Sequence, residues 1–460
     1  MIEFGKISNV WFIGIGGIGM SALARYFNEG GFSIGGYDRT ESLLTRELVA
    51  EGMVVIYRDD VEEVPDIFLN RKSTLVIYTP AIPHVNKCLS YYRNEGFEVH
   101  KRAEILGLIS QRSDAVAIAG THGKTSVSTI TAHLLKQSDI DCSAFLGGIS
   151  KNYRTNLLTG ESNIMVMEAD EYDRSFHHLN PEMALITSMD ADHLDIYGNY
   201  ENMVQAYGEF IEKIREGGKL VLNMNIAQNL VKPSGIQVYT YGLEPSADFY
   251  ASDISIKGQA YHFNVHTPWG RIDELSLLIP GKMNIENSLG AIALVKLAGV
   301  KDEDIRKALL YYRGVVRRFD VRINSEKLTF IDDYAHHPQE INYCIESVKE
   351  FYGDRMITGI FQPHLFSRTR DHANGFASAL DRLDRVILLP VYPAREDPIE
   401  GVDSGIIYKR MKLMNKTLAE KNEIAGLIES EKNDILLTMG AGDIDSLVEP
   451  IENLLRKKLG

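Results

Sequence analysis

The strongest constraint on the fold of this chain is an apolar run that ends in a turn containing glycine and lysine. Residues 115–119 read Ala-Val-Ala-Ile-Ala, and a helix-like, Ser/Thr-rich segment begins a few residues later. A strand that passes through such a turn into a helix directs backbone N–H groups toward bound polyphosphate. In this arrangement Lys124 reaches the outer phosphates, and the Thr125 hydroxyl is a ligand of Mg²⁺. The turn comprises Gly120, Thr121, His122, Gly123, Lys124, Thr125 and Ser126.

This turn is shorter than the common phosphate loop. The first glycine of that loop ordinarily lies five residues before the Gly-Lys pair, and here the position is Ile118, inside the apolar run. The alternative interpretation is an ordinary strand-turn-helix corner that happens to contain Gly-Lys-Thr.

The rest of the chain repeats the alternation of short apolar strands and helix-like segments. Several of these strands end in polar residues, among them Asp38, Glu168 and Asp332. Open α/β sheets hold their ligands at the carboxyl ends of the strands. Between about Ala247 and Ile279 the pattern instead favours antiparallel strands. We therefore predict three α/β domains around one cleft, with the bounds 1–112, 113–316 and 317–460.

Composition excludes several classes of partner. With 460 residues, a net charge of −14 and no basic stripe, the chain is unsuited to nucleic acid. The apolar stretch Val10–Met20 is too short and too rich in glycine for a signal peptide or a membrane helix. Cys88, Cys142 and Cys344 lie far apart in sequence, which is typical of free thiols in a reducing compartment. We expect a cytoplasmic protein that does not insert into membranes.

A second glycine motif lies near the N-terminus. Gly14, Gly16 and Gly19 have the G-x-G-x-x-G spacing, and Asp38 closes the next strand about 20 residues later. Taken alone, this pattern indicates a dinucleotide such as NAD. The same turn can hold any diphosphate at a helix N-terminus, or it can simply allow close packing of strand and helix.

Acidic residues and a histidine follow the two strands after the phosphate loop. Glu168 ends one strand, where an acidic residue would complete a Mg²⁺ site with Thr125. His193 ends the next strand and is a candidate ligand of a second ion, although a lone histidine is more often a surface or core residue. Three neighbours of Glu168 fit a solvated acidic turn equally well: Asp170, Glu171 and Asp173.

The C-terminal third carries a cationic and a mixed cluster. Arg317-Arg318 is either a solvated pair or positive charge supplied to a phosphate from a neighbouring domain. The run Asp-Asp-Tyr-Ala-His-His-Pro at 332–338 is too dense in functional groups for a structural turn. Arg368, with His364 and Arg370 nearby, is suited to binding a carboxylate.

These motifs, in this order, resemble the Mur ligases of peptidoglycan synthesis. The resemblance rests on Gly-Thr-His-Gly-Lys-Thr, Glu-Ala-Asp-Glu, Asp-His-Leu-Asp, Arg-Arg-Phe and Asp-Asp-Tyr-Ala-His-His-Pro, and it extends from Val10 to Asp443. It implies an N-terminal Rossmann-like domain, a central P-loop mononucleotide-binding α/β domain with an antiparallel addition, and a C-terminal Rossmann-like domain. The first domain would bind a UDP-sugar, the second ATP and the third an amino acid.

The resemblance also implies a role for individual residues. The UDP-sugar would contact the glycine loop and the residue that closes the second strand: Gly14, Gly16, Gly17, Ile18, Gly19 and Asp38. ATP would contact the phosphate loop (120–126), Asn287 on the adenine side, Arg318 and Asp333. Mg²⁺, as two ions, would be bound by Thr125, Glu168 and His193. The amino acid would lie among Tyr334, His336 and Arg368. The catalytic set would be Lys124, His193, Arg318 and Asp333.

The implied reaction joins L-alanine to the lactyl carboxylate of UDP-N-acetylmuramate at the expense of ATP, through an acyl phosphate. Three alternatives remain open from the sequence. One is the recycling ligase of the same family that attaches a preformed tripeptide to this UDP-sugar. Another is an NAD-dependent oxidoreductase, and the last is a P-loop NTPase whose output is conformational.

Overall fold

The described part of the chain forms three β-sheets, and the chain divides into two compact units. The structure is a computed structural model that describes residues 4–83, 85–190, 194–394, 396–430 and 433–459. The first unit comprises Met1–Ile254, Phe263–Ser276 and Glu286–Tyr312, and the second comprises Ser255–His262, Leu277–Ile285 and Arg313–Gly460. In the described residues, no helix combines the length and apolar character needed to cross a bilayer.

The N-terminal sheet has five parallel strands. Its elements are β1 Asn9–Ile13, α1 Ile18–Glu29, β2 Ser33–Tyr37, α2 Leu43–Ala50, β3 Val54–Ile56, β4 Thr74–Tyr78, α3 Lys87–Asn94, β5 Glu98–Lys101 and α4 Arg102–Gln111. The strand order is β3-β2-β1-β4-β5. All of β1 is buried, as expected for a central parallel strand covered by helices on both faces. The glycine loop therefore leaves the middle of the sheet, where the strand order reverses.

The central sheet has ten strands, and one of them, Asp114–Ala119, leads into the phosphate loop. Its first elements are β6 Asp114–Ala119, α5 Lys124–Lys136, β7 Ser143–Phe145, β8 Leu157–Leu158, β9 Ile164–Glu168, a 3-10 helix Tyr172–His178, β10 Met183–Ile186, α6 Leu194–Tyr197 and α7 Tyr200–Ile211. The remaining elements are β11 Lys219–Asn223, β12 Gln237–Gly242, β13 Phe249–Lys257, β14 Ala260–Thr267, β15 Gly270–Leu277, α8 Lys282–Leu297 and α9 Asp302–Tyr311.

The order of this sheet is β15-β14-β13-β12-β11-β10-β6-β9-β7-β8. Strand β6 lies between β9 and β10 and is parallel to both, with Ile118 opposite Glu168 and Ala119 opposite Ile186. The loops that follow these three strands consequently meet at one edge. Two-residue connections join β13 to β14 and β14 to β15, so these strands form the predicted antiparallel addition.

The C-terminal sheet has six strands. Its elements are β16 Asp320–Asn324, β17 Thr329–Asp333, α10 Pro338–Tyr352, β18 Ile357–Phe361, α11 Phe366–Leu380, β19 Arg385–Leu388, α12 Gly405–Tyr408, β20 Lys416–Leu418, α13 Ile424–Glu429, β21 Ile435–Met439 and α14 Asp445–Leu459. The order is β16-β17-β21-β18-β19-β20, and only β16 runs antiparallel to its neighbour.

The predicted fold class, three α/β sheets with an antiparallel extension of the middle one, is confirmed. The sequence analysis missed β3 and β5 of the first sheet. Both are edge strands: β3 is apolar but only three residues long, and β5 contains a single apolar residue, so neither has the longer apolar run that identifies a buried strand. The cysteines are free thiols, as predicted, and all three are buried.

Candidate active site

The N-terminal glycine loop forms an open helix N-terminus. Gly14 has a φ of +89°, and a Cβ there would lie 2.6 Å from Cγ2 of Thr79. The backbone N–H of Gly16 donates to Oδ2 of Asp38 at 2.8 Å. Gly17 is the N-cap of α1 and has no side chain to occupy the helix end. Asp38 therefore holds the loop in shape, and the first turn of α1 remains accessible to an anion.

A cation that the sequence analysis missed lies at this helix end. A Cβ on Gly19 would be 1.9 Å from Nη1 of Arg102, so the guanidinium lies directly against the first turn of α1. Arg102 begins α4, immediately after β5, and its Nη2 is 3.3 Å from Oδ2 of Asp170. An arginine directly after a strand would have indicated this position, but the sequence pattern does not predict β5.

The phosphate loop has glycines at the positions where the backbone takes a positive φ, which glycine adopts without strain. Gly120 has a φ of +128°, and a Cβ there would lie 2.0 Å from Oγ1 of Thr187 at the end of β10. Gly123 has a φ of +84° and is the N-cap of α5. A Cβ on Gly123 would lie 2.7 Å from Oδ1 of Asn287. The structure thus brings Asn287, on α8, to the loop that precedes Lys124.

The other members of the loop are anchored to the segment after β10. The N–H of Thr121 donates to the carbonyl of Ser188 at 3.2 Å, and that of His122 donates to the Ser188 hydroxyl at 2.9 Å. Thr125 is buried in the first turn of α5, while Ser126 is half-buried. The loop is therefore held between β6, which it follows, and the segment after β10.

Lys124 is paired with a buried carboxylate. Its Nζ lies 2.8 and 2.9 Å from the two carboxylate oxygens of Glu171 and donates to the Gly120 carbonyl at 2.5 Å. Only 3% of Glu171 is exposed, so it does not belong to a solvated turn. Burial opposes the charge on Lys124, but Glu171, Asp170 and Glu168 together outweigh it and raise the pKa of Lys124. The ammonium group is charged at neutral pH, as phosphate binding requires.

Glu168 is held at the same edge by two donors. Its Oε1 lies 3.1 Å from the hydroxyl of Ser128 and accepts from the N–H of Gly147 at 2.8 Å. The Ser128 hydroxyl also lies 3.1 Å from the carbonyl of Thr125, which brings the carboxylate to the first turn of α5. A Cβ on Gly147 would be 2.3 Å from this carboxylate, so only glycine leaves it room.

A carboxylate next to a threonine-bearing helix turn offers hard oxygen donors, which fit Mg²⁺. In the part of the chain that the structure describes, no three histidine, cysteine, aspartate or glutamate side chains are grouped to hold a metal ion. The predicted ligand His193 lies outside the described residues. Thr125 and Glu168 are the two predicted metal ligands that the structure describes.

In the second unit, Arg318, Tyr334 and Asp333 form one cluster. The guanidinium carbon of Arg318 lies 5.0 Å from the centre of the Tyr334 ring, and that of Arg317 lies 5.1 Å from it. Arg317 donates to the carbonyl of Gly440 at 2.5 Å, which anchors it to the loop after β21. The two arginines are therefore not an equivalent solvated pair, because Arg317 is a structural anchor.

Asp333 is a buried carboxylate. It accepts from the N–H groups of Phe319 and Ala335 at 2.6 and 2.7 Å. Burial raises the pKa of Asp333 to about 6, against the opposing effects of these two donors and of Arg318. A carboxyl group with this pKa exchanges its proton close to neutral pH.

His336 and Arg368 lie together beside this cluster. Nδ1 of His336 is 3.0 Å from the carbonyl of Tyr334 and 3.3 Å from a carboxylate oxygen of Glu340. Nη1 of Arg368 is 3.3 Å from Nδ1 of His364, whose ring lies 6.0 Å from that of His336. Burial lowers the pKa of His336. By contrast, His337 is the N-cap of α10, and its side chain accepts from the backbone.

The predicted site residues therefore fall into groups. In the first unit, one group surrounds the N-terminus of α1 and another surrounds the N-terminus of α5. In the second unit, Arg318, Asp333, Tyr334, His336 and Arg368 are near neighbours. Sequence reasoning missed Arg102, Ser128 and Glu340, and it left Glu171 undecided.

Comparison with known proteins assigns the chain to a family. Residues 9–114 match the "Mur ligase family, catalytic domain", residues 118–295 the "Mur ligase middle domain", and residues 317–442 the "Mur ligase, glutamate ligase domain". The chain belongs to the Mur ligase family.

Full-length relatives of this Mur ligase share one name. The UDP-N-acetylmuramate--L-alanine ligase of Parabacteroides distasonis is 48% identical over 459 residues, covering 100% of this chain and 99% of the relative. That of Phocaeicola vulgatus is 46% identical and covers 99% of this chain and 100% of the relative.

Among solved structures, the UDP-N-acetylmuramate-alanine ligase of Thermotoga maritima is 27% identical, with a TM-score of 0.82. The match covers 98% of this chain and 99% of that one. A murein peptide ligase of Psychrobacter arcticus matches with a TM-score of 0.70 at 20% identity, which supports the shared fold alone.

Proposed function

We propose that this Mur ligase joins L-alanine to UDP-N-acetylmuramate in an ATP-dependent reaction. The domains would have the bounds 1–112 for the UDP-sugar, 113–316 for ATP and 317–460 for the amino acid. Their support is the three separate sheets and the three family regions. The relatives that carry the name of this activity match along the whole chain.

One observation carries the proposal most directly. In the first unit, helices α1 and α5 both begin at a glycine N-cap, and a cation lies at each N-terminus: Arg102 at α1 and Lys124 at α5. Two such cradles suit a reaction that brings together two polyphosphate anions. An NAD-dependent oxidoreductase needs only the anion site at α1, and a P-loop switch needs only the one at α5.

The chemistry requires charge neutralisation rather than a protein nucleophile. A carboxylate oxygen of the muramyl lactate group attacks the γ-phosphorus of ATP, the bond to the β,γ-bridging oxygen breaks, and ADP leaves. The amine of alanine then attacks the acyl carbon, forms a tetrahedral intermediate, expels phosphate and loses a proton. Lys124 and Arg318 would screen the carboxylate as it approaches the polyanion.

Each remaining predicted residue has a role in this scheme. Gly14, Gly16, Gly17, Ile18 and Gly19 would present the helix end to the UDP diphosphate, with Asp38 holding the loop. Tyr334, His336 and Arg368 would surround alanine, with Arg368 on its carboxylate. Asn287 would face adenine, and Asp333 would contact the nucleotide.

Mg²⁺ would be held by Thr125 and Glu168, with His193 as the ligand of a second ion. An ion held there would supply positive charge to neutralise the phosphates. Ser128 and Gly147 orient Glu168 for this purpose.

The test is phosphate release from ATP and UDP-N-acetylmuramate with either L-alanine or the L-alanyl-γ-D-glutamyl-meso-diaminopimelate tripeptide. We expect release with L-alanine and very little with the tripeptide. The reverse preference would indicate the recycling ligase. Release from ATP without any amine or UDP-sugar would indicate an NTPase switch, and nicotinamide fluorescence that responds to the protein would indicate an oxidoreductase.

A further inference from the structure

We propose that the acidic segment after β9, residues 169–173, couples the two anion sites, and that Asp170 and Glu171 are its positioning residues. The inference rests on the proposed function, because it takes the two ligands to be UDP-N-acetylmuramate and ATP. It assigns a role to carboxylates that the reaction itself does not use.

Two adjacent carboxylates pair with the cations of the two different sites. Oδ2 of Asp170 lies 3.3 Å from Nη2 of Arg102, whose guanidinium also lies against Gly19 at the N-terminus of α1. The carboxylate of Glu171 lies 2.8 Å from Nζ of Lys124 in the phosphate loop. Both sites are therefore connected through a single peptide bond, and all of these residues belong to the first unit.

The segment is held at a third point and in a conformation that is unfavourable on its own. Asp173 pairs with Lys101 at 2.7 Å, next to Arg102 in the chain. Asp173 and Arg174 have φ values of +52° and +53°, in the left-handed region that residues other than glycine rarely adopt. Such a backbone persists where surrounding contacts enforce it. Here the contacts include the Asp173–Lys101 ion pair and the Arg174 guanidinium, which lies over the ring of Tyr197.

Binding at one site should consequently favour binding at the other. A diphosphate that engages Arg102 competes with Asp170, and a triphosphate that engages Lys124 competes with Glu171. The first ligand breaks one of these two ion pairs. The carboxylate of that pair then has no cation and lies next to the other carboxylate. Because the two carboxylates are adjacent and the backbone of the same segment is strained at Asp173 and Arg174, the segment is then easier to release from the second cation. The second ligand meets less competition, which is positive coupling.

The experiment measures the Kd of UDP-N-acetylmuramate by calorimetry, with and without saturating AMP-PNP and Mg²⁺. The non-hydrolysable nucleotide prevents turnover. For the unaltered protein we expect AMP-PNP to lower the Kd at least about fivefold, the lower end of typical coupling. The coupling ratio is the Kd without AMP-PNP divided by the Kd with it. In Asp170→Asn and in Glu171→Gln this ratio should approach 1. Glu216→Gln, which makes the same change on an exposed residue of the first unit, should keep the original ratio.

A second measurement separates coupling from loss of structure. Each variant is also titrated with one ligand at a time, and its thermal unfolding is recorded. Glu171→Gln should bind AMP-PNP more tightly than the unaltered protein in EDTA, because Lys124 is released more easily. Asp170 is partly exposed, so its variant serves if the buried Glu171 proves essential for folding.

The inference is overturned if the unaltered protein shows no coupling, or if both variants keep its ratio. These outcomes would leave the proposed function standing. If the unaltered protein failed to bind either ligand, or to release phosphate with L-alanine, the proposed function itself would be wrong.

Discussion

Gly19 offers a direct test of whether Arg102 is the cation of the first anion site. An alanine Cβ at this position would lie 1.9 Å from Nη1 and 2.9 Å from Cζ of Arg102. Non-bonded carbon atoms approach to about 3.5–4.0 Å, so the guanidinium has to move away. The backbone does not resist the change, since Gly19 is a helical residue of α1 and alanine is favoured over glycine there by about 1 kcal/mol.

The loss of binding follows from the contact that is removed. A hydrogen bond to a charged group contributes about 1.5–3 kcal/mol, and about 1.4 kcal/mol corresponds to a tenfold change in affinity. We therefore expect Gly19→Ala to weaken binding of UDP-N-acetylmuramate about 10- to 150-fold. Its thermal stability should be unchanged or slightly higher. A variant that is more stable and binds less well is difficult to explain by damage to the fold.

The assay is calorimetric titration of Gly19→Ala, Arg102→Ala and the double variant with UDP-N-acetylmuramate. If Gly19 serves to leave room for Arg102, the double variant should lose no more affinity than either single one. Gly208→Ala is the matched control, because Gly208 lies in helix α7 and no atom lies within 4 Å of a Cβ there. Additive losses in the double variant, or unchanged affinity in Gly19→Ala, would refute the reasoning.

The remaining predictions concern catalysis and stability. Lys124→Ala should abolish phosphate release with L-alanine yet still bind UDP-N-acetylmuramate; measurable turnover would exclude the assigned role. Asn156→Ala should lower the free energy of unfolding by about 2–4 kcal/mol in urea titrations, because it removes a partner of the buried Arg25, and a loss below about 1 kcal/mol would count against it. Burial raises the pKa of Asp332 from 3.8 to about 6, so between these pH values the folded form holds a proton that the unfolded form has released. Stability is therefore lost as the pH rises from about 4 to 6, by about 3 kcal/mol relative to Asp332→Asn, which keeps an acceptor for Thr438; parallel pH profiles would contradict this.

The sequence was sufficient for those parts of the fold and site that local patterns encode. An apolar run followed by glycines predicted β1 with α1 and β6 with α5, because strand, turn and helix N-terminus are contiguous in the chain. Glu168 was predicted to end a strand near the phosphate loop, and β9 does pair with β6. What the pattern did not provide was the cation of the first anion site, since Arg102 reaches the first turn of α1 from the start of helix α4.

The acidic segment shows why such features escape a reading of the chain alone. A run of carboxylates after a strand has the same composition whether water or protein surrounds it, and solvation is the more common outcome. Here β9 lies beside β6, which places Glu171 against Lys124, and the junction of β5 and α4 in the N-terminal sheet supplies Lys101 and Arg102. The burial of Glu171 thus depends on sheet order and on the packing of two sheets. If the coupling experiment succeeds, the segment would owe its role to those long-range contacts rather than to its own sequence.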